Sequence, residues 1–88
     1  MYFVYLIQHN KTMERYIGYT SDLNKRLSYH NSGNNKSTRR DIGKCIIIYY
    51  EGYRSKTDAI SRERQLKRHG RGKQILVKWL SNSLIEDV

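Results

Sequence analysis

Glu63 stands three positions from both Ile60 and Leu66, so helical periodicity projects a carboxylate from the stripe that those apolar residues should bury. An unpaired charge in that place is costly. Either an ion pair to one of the many arginines satisfies it, or the buried stripe is narrower than this spacing draws it, or the carboxylate serves as a metal ligand. One carboxylate, completed by waters and phosphate oxygens, is enough to hold a hard divalent ion such as Mg²⁺. No second acid is placed to join it, which argues against a two-metal site. Arg26 and His30, four residues apart, share a helical face of their own. There a permanent cation can hold phosphate while an imidazole moves a proton near neutral pH. Tyr5 and Tyr16 sit in segments with strand chemistry, where phenols either pack in the core or present their hydroxyls at its edge.

The elements that carry these residues can be read along the chain. Tyr2 to Ile7 is apolar on both alternating faces, as in a central strand covered on two sides. His9 to Glu14 is a polar break and Arg15 to Thr20 resumes a strand, so the first two strands form a hairpin. A turn centred between Asn10 and Lys11 would set Tyr5 opposite Tyr16, with Cβ atoms about 5 Å apart. Ser21 and Asp22 cap a helix anchored by Leu23 and Leu27, which a loop from Asn31 to Ser37 ends at Gly33. Lys44 to Tyr53, with its run Cys45 to Tyr50, is the third strand. Ser55 and Asp58 open a second helix with Ala59, Ile60 and Leu66 inward, running to about His69 before Gly70. Ile75, Leu76, Trp79 and Leu80 mark a third helix docking on the sheet, with Trp79 as its core anchor, and residues 82–88 are expected to fray. The order ββαβαα predicts an α+β fold, a three-stranded antiparallel sheet flanked by helices. Tyr49, Tyr50 and Tyr53 read as packing aromatics that could otherwise stack on bases.

Eighty-eight residues suffice for one domain, residues 1–88, with no proline-rich or low-complexity linker to divide them. The net charge is +9, and residues 36–73 carry twelve Lys or Arg against four acids, an excess of eight. A phosphate backbone rewards such a patch; a membrane surface would also need protruding apolar residues, which here are committed to the core. Nucleic acid is the expected partner and a membrane is not. A single cysteine, Cys45, closes no internal disulfide and reads as core. No apolar run approaches the roughly 20 residues that span a bilayer. A soluble, cytoplasmic protein is expected.

Phe3-Val4-Tyr5 and Tyr16-Ile17-Gly18, eleven residues apart from tyrosine to tyrosine, resemble the two halves of the GIY-YIG nuclease signature. The second half matches in full and the first keeps its tyrosine. The resemblance continues through Ser21 to Leu27, His30 to Gly33, Lys36 to Arg39, and Ala59 through Glu63 to Lys67. It points to the small single-domain branch, similar to the N-terminal domain of UvrC. It implies an endonuclease hydrolysing DNA phosphodiester bonds with one Mg²⁺ or Mn²⁺ ion, directed by structure or damage as in repair and recombination. By position, Tyr5, Tyr16, Arg26, His30 and Glu63 would be catalytic, with Glu63 on the metal. Gly18, Thr38, Arg39 and Lys67 would contact substrate. A phenol ordinarily ionises near pH 10, so Tyr5 as the base needs cations beside it, and His30 is the other candidate. Two features depart from the pattern. Ile75 to Lys78 occupy the stretch where many relatives carry an asparagine. No DNA-binding domain is appended, so targeting falls to this surface or to a protein partner. A domain of this fold that binds DNA or RNA without cutting is the alternative, which retention of all five polar residues disfavours.

Overall fold

The computed structural model describes residues 1–31, 44–68 and 71–85, and within them the strands and helices follow the order ββαβαα. β1 (Tyr2–His9), β2 (Arg15–Thr20) and β3 (Cys45–Tyr53) form one sheet in the order β2-β1-β3, with both pairings antiparallel. α1 spans Leu23–Asn31, α2 Lys56–Lys67 and α3 Arg71–Trp79. No helix among the described residues is long and apolar enough to cross a membrane.

The doubly apolar pattern of β1 has a direct cause in this architecture. Val4 and Leu6 pack with Ile17, Ala59, Leu66 and Leu76 on the face covered by α2 and α3. Tyr5 and Ile7 pack with Cys45, Leu23 and Leu27 on the face covered by α1. Val4, Leu6 and Ile7 are each at most 2% exposed, and side chains of this size contribute roughly 2 kcal/mol apiece when fully buried.

The hairpin register differs from the sequence expectation by two residues. Tyr5 pairs with Gly18 and Tyr16 with Ile7, not Tyr5 with Tyr16. The turn is wider than two residues because the His9 amide donates to the Glu14 carbonyl and the Met13 amide returns to the His9 carbonyl, each at 2.9 Å. Nδ1 of His9 accepts from the amides of Lys11 and Thr12 at 3.1 and 3.2 Å, which holds Met13 at a φ of 64°. A slip of two preserves the side-chain face, so the two phenols still share one side of the sheet.

In β3, Leu6 of β1 faces Tyr49 but Ile7 faces Ile47, a bulge that skips Ile48. The skip changes which face the odd-numbered residues take. Cys45 and Ile47 join the α1 side, while Tyr49 and Tyr53 join the α2 side. There Glu51 accepts from Nε and Nη2 of Arg62 on α2 at 2.8 and 3.2 Å and from both tyrosine hydroxyls at 2.5 Å. Burial alone would raise the Glu51 pKa, but the bonds from Arg62, Tyr49 and Tyr53 outweigh it and hold the carboxyl below its ordinary value of 4.5. Burial and the Glu51 bond push the Tyr49 hydroxyl up to about 12.

This knot fastens the sheet to the helix that bears Glu63. Glu51→Gln should lower stability by about 2 kcal/mol at pH 7, since it weakens charge-assisted bonds in a half-buried place. A depressed carboxylate pKa stabilises above the unfolded value and loses that effect as pH falls through the folded one. The difference between wild type and Glu51→Gln in urea unfolding should therefore shrink as pH drops below 4.5.

Ser55 caps α2 through its hydroxyl, which accepts from the Asp58 amide, and Ala59 and Leu66 form the helix's buried stripe. α3 buries Leu76 but leaves Ile75 48% and Trp79 76% exposed, so Trp79 is not the core anchor its spacing suggested. α2 separates much of α3 from the sheet, and only a narrow strip of the third helix reaches the core. Residues 82–85, the described part of the tail expected to fray, follow α3 through a turn and a bend. Amides of Ser83 and Leu84 bond to the Leu80 carbonyl, and that of Ile85 reaches the buried Gln8 side chain at 2.8 Å. Gly33, His69, Gly70, Glu86 and Asp87 lie outside the described residues.

Candidate active site

Tyr5 leaves the central strand and crosses the edge strand β2 at Gly18. A Cβ on Gly18 would lie 2.3 Å from the Tyr5 hydroxyl oxygen and 2.6 Å from Cζ, far inside van der Waals contact. Glycine is therefore what lets the ring lie across β2 and deliver its hydroxyl to the sheet edge.

Two groups of α1 meet that hydroxyl. The Asp22 carboxylate starts the helix by accepting from the Lys25 amide at 3.1 Å, and one and two turns later Arg26 and His30 point toward the sheet. Nε of Arg26 donates to Tyr5 Oη at 3.1 Å, and Nε2 of His30 lies 3.5 Å from the same oxygen. His30 stacks on Tyr16, with ring centroids 6.3 Å apart and planes 29° apart, and meets Tyr5 edge-on. Its imidazole is 4% exposed. Burial pushes its pKa below 6.5 and the Arg26 guanidinium adds to the effect, although the last turn of a helix by itself favours the imidazolium. The site thus keeps a neutral imidazole beside a phenol that accepts from a guanidinium.

Glu63 approaches from the opposite face of the sheet. Its side chain is 18% exposed on the flank of the buried stripe of α2, and among the described residues its ion-pair partner is Lys67, at 3.5 Å one turn on. Such a helical pair contributes only about 0.2–0.5 kcal/mol, so the Lys67 ammonium, 54% exposed, is easily moved aside. Tyr5, Tyr16, Gly18, Arg26, His30, Glu63 and Lys67 all line one open cleft of about 430 Å³ that wraps the β2 edge. Thr38 and Arg39 lie outside the described residues. Among the described residues no three His, Cys, Asp or Glu side chains gather to cage an ion. The donor set fits a hard cation that takes one carboxylate oxygen and completes its shell with water and phosphate.

Three contributions were not singled out from sequence. Glu14 accepts a short hydrogen bond from the Tyr16 hydroxyl. Its spacing of two residues along an extended segment, which places both on one face, was the available signal. The Asn31 amide grips the backbone of Cys45, donating to its carbonyl at 3.2 Å and accepting from its amide at 2.7 Å. This ties the end of α1, and with it His30, to the outer edge of β3. The third is the Glu51–Arg62 pair, whose partners are eleven residues apart and meet only through the packing of α2 on the sheet.

Comparison with known proteins finds relatives of this chain. A UPF0213 protein of Streptococcus pneumoniae is 45% identical over 56 residues, covering 64% of this chain and 57% of its own length, so the chain spans less than two thirds of that relative. The UPF0213 protein CPE1444 of Clostridium perfringens is 32% identical over 85% of this chain and 80% of its own. The solution NMR structure of the UPF0213 protein BH0048 from Bacillus halodurans, 27% identical, superposes with a TM-score of 0.49 and covers 89% of this chain and 86% of that one. The family model described as the GIY-YIG catalytic domain matches residues 1–75, and the chain belongs to that family.

Proposed function

We propose that the protein is an endonuclease that hydrolyses phosphodiester bonds of nucleic acid, most fittingly DNA, with one divalent ion held at Glu63. The observation that carries this reading is the convergence of Tyr5, Tyr16, Arg26, His30 and Glu63 on one cleft from both faces of the sheet. The ion, Mg²⁺ or Mn²⁺, would supply positive charge on a phosphate oxygen.

The chain's own groups do the rest. Arg26 and Lys67 offset charge that builds on the phosphate in the transition state. Tyr5 takes a proton from the attacking water as its own hydroxyl proton passes to the neutral Nε2 of His30, and Arg26 holds the phenol oxygen throughout. The hydroxide so formed attacks phosphorus in line, the bond to the departing oxygen breaks, and that oxygen takes a proton from solvent in the open cleft. Tyr16, braced by Glu14 and stacked on His30, orients the phosphate or the water. The role in repair or recombination is the one that the resemblance to this family implies.

The test is incubation of purified protein with single-stranded, duplex and branched DNA and with RNA, in Mg²⁺, Mn²⁺ or EDTA. Cutting that needs a metal is expected. Binding to every substrate with no cut in either metal would establish the non-cleaving alternative.

A pH profile checks the proton path separately. Because His30 must be neutral and burial holds its pKa below 6.5, activity should rise with pH along an acid limb whose midpoint lies below 6.5. Arg26→Lys removes the planar donor beside the imidazole and should change the position of that acid limb as well as the plateau. An acid limb centred above pH 6.5 in wild type would exclude His30 as the acceptor.

A further inference from the structure

Trp79, the single tryptophan of the chain, is 76% exposed, and Ile75 one turn before it is 48% exposed. An indole left in water on a short helix is a large apolar surface with little cover from the described residues. It borders a groove of about 140 Å³ between α2 and α3 that Arg62 and Gln65 also line. The groove wall is stiff, because Arg62 donates from Nη1 to Gln65 Oε1 at 3.0 Å while Nε holds Glu51.

The groove is joined to the cleft by a cationic surface. Arg64, Lys67 and Arg68, together with Ser61 and Gln65, line a broad depression of about 590 Å³ on the outer side of α2. It shares Lys67 with the cleft and Gln65 with the groove. Passing from Glu63 over the back of the helix to Trp79, a ligand would meet cations first and an aromatic face last. A second copy of a chain with net charge +9 would bring like charge against this surface. A strand of nucleic acid complements both parts, phosphates on the cations and a base on the indole. Stacking needs a base whose face is free, which the interior of a duplex does not offer.

We propose that Trp79, backed by Ile75, is a stacking platform for an unpaired base of the nucleic acid whose backbone crosses α2 from the cleft. The platform makes a single-stranded flank beside the scissile position the preferred substrate class, an inference that rests on the nuclease reading. The indole is its own reporter. Titration in EDTA with an eight-residue oligothymidylate should quench Trp79 emission, whereas an abasic oligonucleotide of equal charge should leave it nearly unchanged. Trp79→Ala should weaken single-strand binding about ten-fold, measured by anisotropy of a labelled oligonucleotide, and duplex binding less than two-fold. Circular dichroism of this surface variant should match wild type. Equal quenching by the abasic strand, or equal affinity of the variant for single strands, would overturn the platform, and so would an emission shift with protein concentration alone, which would mark self-association. Quenching without cleavage in any metal would sink the nuclease reading and keep the platform. Cleavage without quenching would do the reverse.

Discussion

Glu63→Gln is expected to reduce the cleavage rate about 10³-fold in Mg²⁺ while leaving DNA affinity in EDTA within two-fold of wild type. The substitution keeps the volume and removes the charge. Its structural cost is small, because the interaction lost is a helical pair with a half-exposed Lys67, worth a few tenths of a kcal/mol. A large fall in rate with an unchanged melting temperature therefore reports chemistry and not folding. The size follows from what the carboxylate is asked to do. Withdrawing one preorganised charge from a phosphoryl transition state commonly removes two to three orders of magnitude. Partial rescue by a higher Mn²⁺ concentration is the accompanying expectation, since the amide oxygen remains a weak ligand. A variant cutting at more than a tenth of the wild-type rate would remove Glu63 from the metal site.

Much of this geometry was legible in residue types because each depended on a short-range rule. Glu63 was visible as a charge on an apolar helical stripe, and the structure places it on that stripe's flank. Arg26 and His30 were visible as a four-residue pair, and both reach the same phenol. The central place of β1 was visible in apolar residues on both its faces. The misjudged features are those that spacing does not encode. The two-residue error in hairpin register came from turn hydrogen bonds made by the His9 ring, which composition does not announce. The β3 bulge at Ile48 hides inside a run that is apolar at every position, so no alternation betrays the change of face. Trp79 fits the helical period of Ile75 and Leu76, yet α3 buries only a narrow strip, and which residues of a stripe are buried depends on how far a helix stands from the sheet. Glu51 and Arg62 meet through tertiary packing alone.

The remaining large effect belongs to a residue with no side chain. Gly18→Ala should reduce cleavage about 10²-fold, and the route of that loss can be separated from simple misfolding. Alanine's methyl would sit 2.3 Å from Tyr5 Oη, so either the ring swings off β2 or the strand pair opens. The first outcome moves the hydroxyl away from Arg26 Nε and His30 Nε2, and a displacement near 1 Å of a catalytic group is enough for a loss of that order. Overpacking of this kind typically lowers stability by 1–3 kcal/mol. The ring and the methyl compete for one space, so their effects must couple. In a Tyr5→Ala background the space is vacant, and Gly18→Ala should then be tolerated within about 0.5 kcal/mol. Cleavage should behave differently from stability, because both double and single Tyr5 variants lack the phenol and should be equally slow. A methyl that destabilises the protein equally with and without the Tyr5 ring would mean that Gly18 serves the backbone of β2. The path of Tyr5 across the sheet edge would then owe nothing to the missing side chain.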